Sequence, residues 1–338
     1  MIFVTGGTGL IGSHLLVQLS QLNDSITATF RNESKIKDVQ KVFEFYLKSN
    51  AQSHFQKVKW VKCDLLDVVS LEQAMKGAQT VYHCAALVSF LKKDFAKLQS
   101  NNRTGTENMV NISLDLKVQK FCFVSSTAAI GNKGISSDEI INEESKWEKS
   151  KETSGYSISK YGAEKEVWRG IAEGLNAVIV NPSVVFGAGP WNSGSMTIFN
   201  TIQKGLSFYP PGSNAFVDAR DVASIMIGLV EKNIRSKRFL CISENLTFYH
   251  LFTQIASALG KKAPRIKVGR FLMGLTWRSN AFWAMLTCRN PVVTKHTAHS
   301  AFSNSRYSNE KICQELSFSF IPIKESIQNA VEYHQAFD

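Results

Sequence analysis

Short apolar runs alternate with longer segments whose apolar residues recur every three or four positions. Ile2-Phe3-Val4 reads as a buried strand, and an apolar helix follows from about Leu10 to Leu22. Ser25 to Phe30 alternates like a second strand, and Val39 to Leu47 is an amphipathic helix. Val58 to Cys63 and Thr80 to Ala86 are further strands, separated by a helix over Ser70 to Lys76. A long helix is predicted over Asn102 to Leu116, then a strand from Phe121 to Ser126. A polar stretch without period, Gly131 to Gly155, precedes a helix that runs from Tyr156 through Glu166. Ala177 to Pro182 is a strand that Pro182 stops, and Ser183 to Gly194 is a glycine-rich loop. Helices over Asp218 to Val230, Tyr249 to Leu259 and Ile323 to His334, and a strand over Phe239 to Ile242, complete the pattern.

Strand and helix alternating in this way predict an α/β fold with a doubly wound parallel sheet of Rossmann type. Ligands of such sheets bind beyond the carboxyl ends of the strands. No internal repeat or low-complexity linker divides the chain. A main domain over 1–182 is expected, with 215–242 packing back on it. A smaller, interwoven substrate lobe is expected over 183–214 and 243–338.

The first strand runs directly into Thr5-Gly6-Gly7-Thr8-Gly9-Leu10-Ile11-Gly12. Glycines here make the tight turn, admit a pyrophosphate to the backbone and let helix pack on strand. The helix N-terminus then faces the phosphates with its partial positive charge. Residues 1–182 are therefore read as a dinucleotide-binding domain. Arg31 closes the second strand, where an NAD site keeps a carboxylate for the ribose 2′-hydroxyl, and no acid precedes Glu33. An arginine there suits a 2′-phosphate, so NADP(H) is expected over NAD(H). Asp64 follows the third strand, where a carboxylate faces adenine or caps the next helix. His83 is read as a packed strand residue.

Composition is that of an ordinary globular protein, with 338 residues, 44% hydrophobic and 20% charged. The six cysteines are scattered, which favours reduced thiols and a cytoplasmic setting, and no cluster has metal-ligand spacing. With a strand beginning at residue 2, no secretory leader is expected, and no run reaches the ~18 apolar residues of a membrane span. The net charge of +11 is uneven: from Lys232 to Asn309 thirteen Lys/Arg face a single acid, Glu244.

Tyr156 and Lys160 stand four apart on one helix face, about 6 Å between Cβ atoms. An ammonium so near is expected to lower the phenol's pKa toward neutrality, giving a general acid/base for physiological pH. Ser125, Ser126 and Thr127 end the strand before it.

Together these segments resemble the extended short-chain dehydrogenase/reductases of the NAD-dependent epimerase/dehydratase superfamily, and within them the dihydroflavonol reductase and 3β-hydroxysteroid dehydrogenase branch. The resemblance covers nearly the whole chain, loosely in the C-terminal third. It implies that Gly6 to Gly12 with Arg31, Asp64, Leu65, Ala85, Ala86 and Asn102 hold the cofactor. Asn181-Pro182-Ser183 would hold the nicotinamide amide, with Asn181 in place of the more usual arginine. It implies Tyr156 as general acid/base and Ser126, counted back from Gly131, as the hydroxyl that polarises the substrate oxygen. Lys160 would hold the ribose and tune the phenol, in a reaction that interconverts a carbonyl and a secondary alcohol.

A nucleotide-sugar epimerase retaining NAD ranks second; Val88 stands where many such epimerases carry lysine. A dehydratase needs an acid beside the catalytic hydroxyl, and Thr127-Ala128-Ala129 offers none. A catalytically idle nucleotide-binding protein would have lost Tyr or Lys, and both are present. The basic, aromatic stretch 271–286 suits either an interfacial helix on anionic lipid or a helix pair lining a substrate pocket or homodimer contact. Nucleic acid is not expected, because these aromatics cluster with aliphatics instead of alternating with cations.

Overall fold

The computed structural model describes residues 1–131, 140–192, 194–269, 298 and 300–337. Its main sheet has seven strands: β1 (Ile2–Thr5), β2 (Ile26–Phe30), β3 (Val58–Lys62), β4 (Thr80–His83), β5 (Lys120–Val124), β7 (Ala177–Pro182) and β11 (Lys237–Cys241). They lie in the order β11-β7-β5-β4-β1-β2-β3, every pairing parallel. This is a Rossmann-like doubly wound α/β fold, and the strand order reverses between β1 and β4.

Strand period sorts the side chains onto two faces. Val4, Tyr82, Cys122 and Val178 point to one side, under α1 (Leu10–Leu22), α2 (Ile36–Leu47) and α9 (Ala219–Glu231). Phe3, Val81, Phe121, Phe123 and Ile179 point to the other, under α4 (Val68–Met75), α6 (Gly105–Asp115) and α7 (Gly155–Ala172). Both faces are covered, which is why the strands read as unbroken apolar runs instead of alternating.

A third core joins Phe186, Trp191, Phe199, Phe216, Leu251, Ile255 and Ile327. It packs around a second sheet in the order β12-β10-β8, from β8 (Val184–Phe186), β10 (Ser213–Asp218) and β12 (Glu244–Thr247). The helices α8 (Thr197–Gln203), α10 (Phe248–Ala258) and α12 (Ile323–Phe337) supply the rest of it. The chain thus leaves the large sheet after β7, returns with α9 and β11, and leaves again. Part of the glycine-rich loop after Pro182 is a strand, β8, which parallel pairing with β10 stabilises. The polar stretch before Gly155 likewise contains β6 (Ile140–Ile141), paired with β14 (Arg306–Tyr307).

The long helix expected from Asn102 is in two parts. Gln99–Thr104 is a π-helical turn and α6 begins only at Gly105. Such wide turns re-aim side chains, and this one turns Asn102 inward, 1% exposed. Among the described residues no helix is long and apolar enough to cross a membrane. The basic aromatic stretch 271–286 lies outside them.

Gly170 shows how tightly α7 is seated. A Cβ there would come within 2.5 Å of Val110 Cγ1 on α6 and 3.3 Å of Leu175 Cδ2. Gly170→Ala should therefore lower stability by roughly 1–3 kcal/mol in urea unfolding, although alanine is the better helix former. A stabilised variant would show that the α6–α7 contact is loose.

Candidate active site

The carboxyl edge of the large sheet presents the predicted segments side by side. Across β2, β1, β4, β5 and β7 it carries Arg31, Gly6, Cys84-Ala85-Ala86, Ser125-Ser126 and Ser183. The glycine loop is held against the end of β4. Gly6 adopts φ +69°, and a Cβ on it would sit 2.6 Å from the Ala85 nitrogen. Only glycine tolerates both. Ala85 N also donates to Thr5 Oγ1 at 3.3 Å.

Gly9 caps α1 without a side chain, and no acid stands in the first turn. The N–H groups of that turn therefore lack a side-chain acceptor. A Cβ on Gly9 would meet only Gly6 O, at 3.3 Å, so the space beyond the loop is open. A cradle with open amides, no carboxylate and room beside the backbone fits a pyrophosphate. Gly7 and Gly12 serve packing instead: a Cβ on them would lie 3.0 Å from Leu16 Cδ1 and 2.8 Å from the Gly6 carbonyl carbon. Thr8, Leu10 and Ile11 are half-buried along the loop and the first turn.

Further along the edge, Arg31 is exposed and donates from Nη1 to Asn101 Oδ1 at 2.8 Å. Asp64 Oδ1 accepts from Leu66 N at 3.0 Å, so this carboxylate closes the turn after β3. Leu65 lies against Gly105, at whose Cβ position its own Cβ would stand 3.0 Å away.

On the other side of β1, Ser154 caps α7 by accepting from Ser157 N at 3.0 Å, which sets the helix phase that presents Tyr156 and Lys160. The Tyr156 phenol lies beside the Ser126 side chain, which lowers its pKa, and the Phe90 ring meets the phenol ring edge-on at 5.7 Å. Ser126 Oγ accepts from Ala128 N at 3.1 Å, so its hydrogen is free to point outward. Lys160 is 2% exposed; Nζ donates to Val124 O at 2.7 Å and stands 4.6 Å from the Phe123 ring centre.

The structure corrects the expected tuning of the phenol. Burial pushes the Tyr156 pKa up, and the neighbouring Ser126 side chain offsets only part of this. The ammonium is spent on a main-chain carbonyl beneath the site. Lys160 is itself pushed down to about 8 by burial, with Glu164 opposing.

Two amides expected at the cofactor are tied to protein groups in this structure. Asn102 accepts from Leu87 N at 2.7 Å and donates to Leu87 O and Ser159 Oγ, both at 2.9 Å. Its amide is satisfied by protein and clamps the loop after β4 to α7. Asn181 is fully buried, and its Nδ2 donates to Ser126 O at 3.1 Å and Glu164 Oε2 at 2.8 Å. Both amides hold the site from behind. Pro182 ends β7 opposite Cys241, and Ser183 N donates to Cys241 O at 3.3 Å.

Two residues that matter here escaped the sequence reading as site residues. Glu164 follows Lys160 by one turn on the same helix face, a spacing that could have marked it. Arg238, which pairs with it at 3.1 Å, comes from β11 and left no local signal. Among the described residues no group of three His, Cys, Asp or Glu is placed to hold a metal ion.

Fold and edge together define a nucleotide-binding Rossmann enzyme with a Ser/Tyr/Lys constellation. The description "NAD dependent epimerase/dehydratase family" matches residues 2–241, and the chain belongs to that family as an extended short-chain dehydrogenase/reductase. A Synechocystis protein bearing the provisional name dihydroflavonol 4-reductase is 28% identical, over 98% of this chain and 94% of its own. Anthocyanidin reductase of Arabidopsis thaliana is 29% identical over 78% of this chain and 81% of its own. Among solved structures, gox2253 superposes with a TM-score of 0.80 at 23% identity, covering 99% of this chain and 98% of its own. Gre2 of Candida albicans, in complex with NADPH, gives 0.73 at 22% identity, covering 100% and 99%.

His83 is fully buried between Thr5 Oγ1 at 2.7 Å and Thr106 Oγ1 at 3.0 Å, and burial lowers its pKa to about 3. It stays neutral when folded, whereas the unfolded chain takes up a proton below about pH 6.5. Its contribution is therefore complete above that pH and lost as pH falls toward 3, by about 2 kcal/mol at pH 5. His83→Gln should remove that part of the acid sensitivity, read as the stability difference between pH 7 and 5. An unchanged slope would mean that His83 is protonated in the fold.

Proposed function

We propose that the protein is an NADP(H)-dependent oxidoreductase interconverting a carbonyl and a secondary alcohol on a fairly apolar small molecule. The observation that carries this reading is Tyr156 beside the Ser126 hydroxyl, which acts on its pKa, and above buried Lys160, at the strand ends that also hold the glycine cradle. A nicotinamide dinucleotide in that cradle would supply or accept the hydride.

Tyr156 gives its proton to the nascent alkoxide in reduction and takes it back in oxidation. Ser126 donates to the same oxygen, where negative charge develops. Burial keeps the phenol protonated, as suits a general acid for reduction. Lys160 holds the nicotinamide ribose, for which its ammonium must leave the Val124 carbonyl. The Gly9–Gly12 turn receives the pyrophosphate, and Arg31 receives the 2′-phosphate with Asn101 orienting it. The apolar character of the substrate is supported by the loop after β4, where Val88 and Phe90 are 52% and 38% exposed, with Phe90 against the phenol. A relative named anthocyanidin reductase agrees with it.

Tyr156→Phe should lower turnover of an aldehyde and ketone panel by at least about a hundredfold while NADPH binding changes little. Lys160→Ala should weaken both. A Tyr156→Phe protein of near wild-type rate would remove the acid/base assignment, and NAD tightly retained through purification would mark an epimerase instead.

Arg31→Asp should reverse the cofactor preference. The loss of one charge-assisted fork, roughly tenfold or more in affinity for NADPH, is joined by repulsion of the 2′-phosphate. Wild-type protein that binds NADH more tightly than NADPH in a fluorescence titration would overturn this reading of β2.

A further inference from the structure

Behind the serine lies a buried charge whose arrangement spans three elements. Glu164 is 2% exposed on α7, one turn beyond Lys160. Its Oε2 accepts the Ser125 hydroxyl at 2.6 Å and the Asn181 amide at 2.8 Å. Its Oε1 accepts Arg238 Nη1 at 3.1 Å and Trp168 Nε1 at 3.3 Å. A carboxylate so far from water is costly to bury without a cation, and Arg238 forms an ion pair with it at 3.1 Å. Arg238 is anchored in turn: its Nε donates to Glu143 O at 2.8 Å and its Nη2 to the same oxygen. The Glu143 carboxylate, for its part, accepts Leu240 N at 2.9 Å and seals the edge strand β11.

The two groups gathered on Glu164 Oε2 both reach Ser126. Ser125 is its chain neighbour, and the Asn181 amide also donates to the Ser126 carbonyl at 3.1 Å. From the strand side, Ser125 N donates to Val180 O at 2.7 Å. The Ser126 backbone is thus tied on both sides of its Cα, and one of those ties runs through the carboxylate.

We propose that Arg238 is a positioning residue for Ser126: it holds Glu164 as a buried carboxylate, which fixes Ser125 and Asn181 and through them the catalytic hydroxyl. This rests on the reading of Ser126 as the group that polarises the substrate oxygen. Displacement of such a group by about 1 Å is enough to lower a rate by two orders of magnitude. The arrangement also accounts for asparagine at 181. With the guanidinium supplied from β11, position 181 needs a short side chain that donates to both Ser126 O and the carboxylate, which one amide does.

The test compares Arg238→Met, Arg238→Lys, Glu164→Gln and the double variant Arg238→Met/Glu164→Gln with wild type. Turnover with NADPH, NADPH affinity and hydrogen exchange of the 124–129 backbone amides are measured for each. Arg238→Met should lower kcat tenfold or more, leave NADPH affinity within twofold and speed exchange of 124–129 while the other strands stay protected. Arg238→Lys should recover most of the rate. Because Arg238 acts through Glu164, the double variant should be no slower than Glu164→Gln alone. If Arg238→Met fails to fold, its carboxylate being left unpaired, the lysine and double variants carry the comparison. Wild-type kcat and unchanged exchange in Arg238→Met, or in the double variant, would overturn the proposal, as would losses that multiply. Exchange needs no substrate, so it decides the positioning role even if the wild type reduces no carbonyl, a result that would sink the reductase reading alone.

Discussion

The contact on which the site depends is the one between the glycine loop and the end of β4. Gly6, at φ +69°, lies so close to Ala85 that no side chain fits between them. That approach brings the first turn of α1 over the sheet edge with its amides uncovered. It also lays Cys84-Ala85-Ala86 as a flat floor beside the strand ends of β1 and β5. Everything that follows along the edge is placed relative to that floor, because parallel strands in fixed register carry their carboxyl ends to one line.

Three polar residues beneath the edge are held in hydrogen-bonded sets, and this lets a site of a phenol, a hydroxyl and an ammonium stand on an apolar sheet. His83 bridges Thr5 and Thr106, Lys160 uses the Val124 carbonyl, and Asn102 fastens the loop after β4 to α7. Each is almost wholly buried, so each would cost free energy if left unpaired. Rigidity at the strand ends is the consequence: the backbone cannot shift without breaking a buried hydrogen bond. The exposed apolar residues Val88 and Phe90 sit on a loop held at Leu87 by Asn102, so the ring that packs on Tyr156 has a fixed root.

In this structure the phenol and the ammonium are each less ionisable than in water. Burial disfavours the charged form of both, raising Tyr156 and lowering Lys160. A protonated phenol next to a hydroxyl is a competent proton donor, and a lysine near pH 8 is ready to respond to added negative charge. The ammonium lies on the Val124 carbonyl, so in this structure burial rather than the lysine charge sets the ionisation of the phenol.

Local order along the chain determined the parts of this protein whose geometry is local. A strand running into glycines and a helix can only be a tight turn with open amides, and Tyr156 with Lys160 share a face because 3.6 residues make a turn. The alternation of strand and helix likewise made the parallel sheet legible. Tertiary structure alone decided where Nζ of Lys160 points, since burial and the nearest carbonyl choose among its rotamers. It decided which protein groups the Asn102 and Asn181 amides meet, because those partners, Leu87, Ser159, Ser126 and Glu164, converge only after the strands pair. The strands β8, β10 and β12 were obscure for a related reason: β8 is only three residues long, β10 and β12 carry polar residues such as Ser213, Asn214, Glu244 and Asn245 instead of an unbroken apolar run, and pairing with distant partners stabilises them. Arg238 meets Glu164 across 74 positions of sequence, and only the register of β11 beside β7 brings the guanidinium to the buried carboxylate.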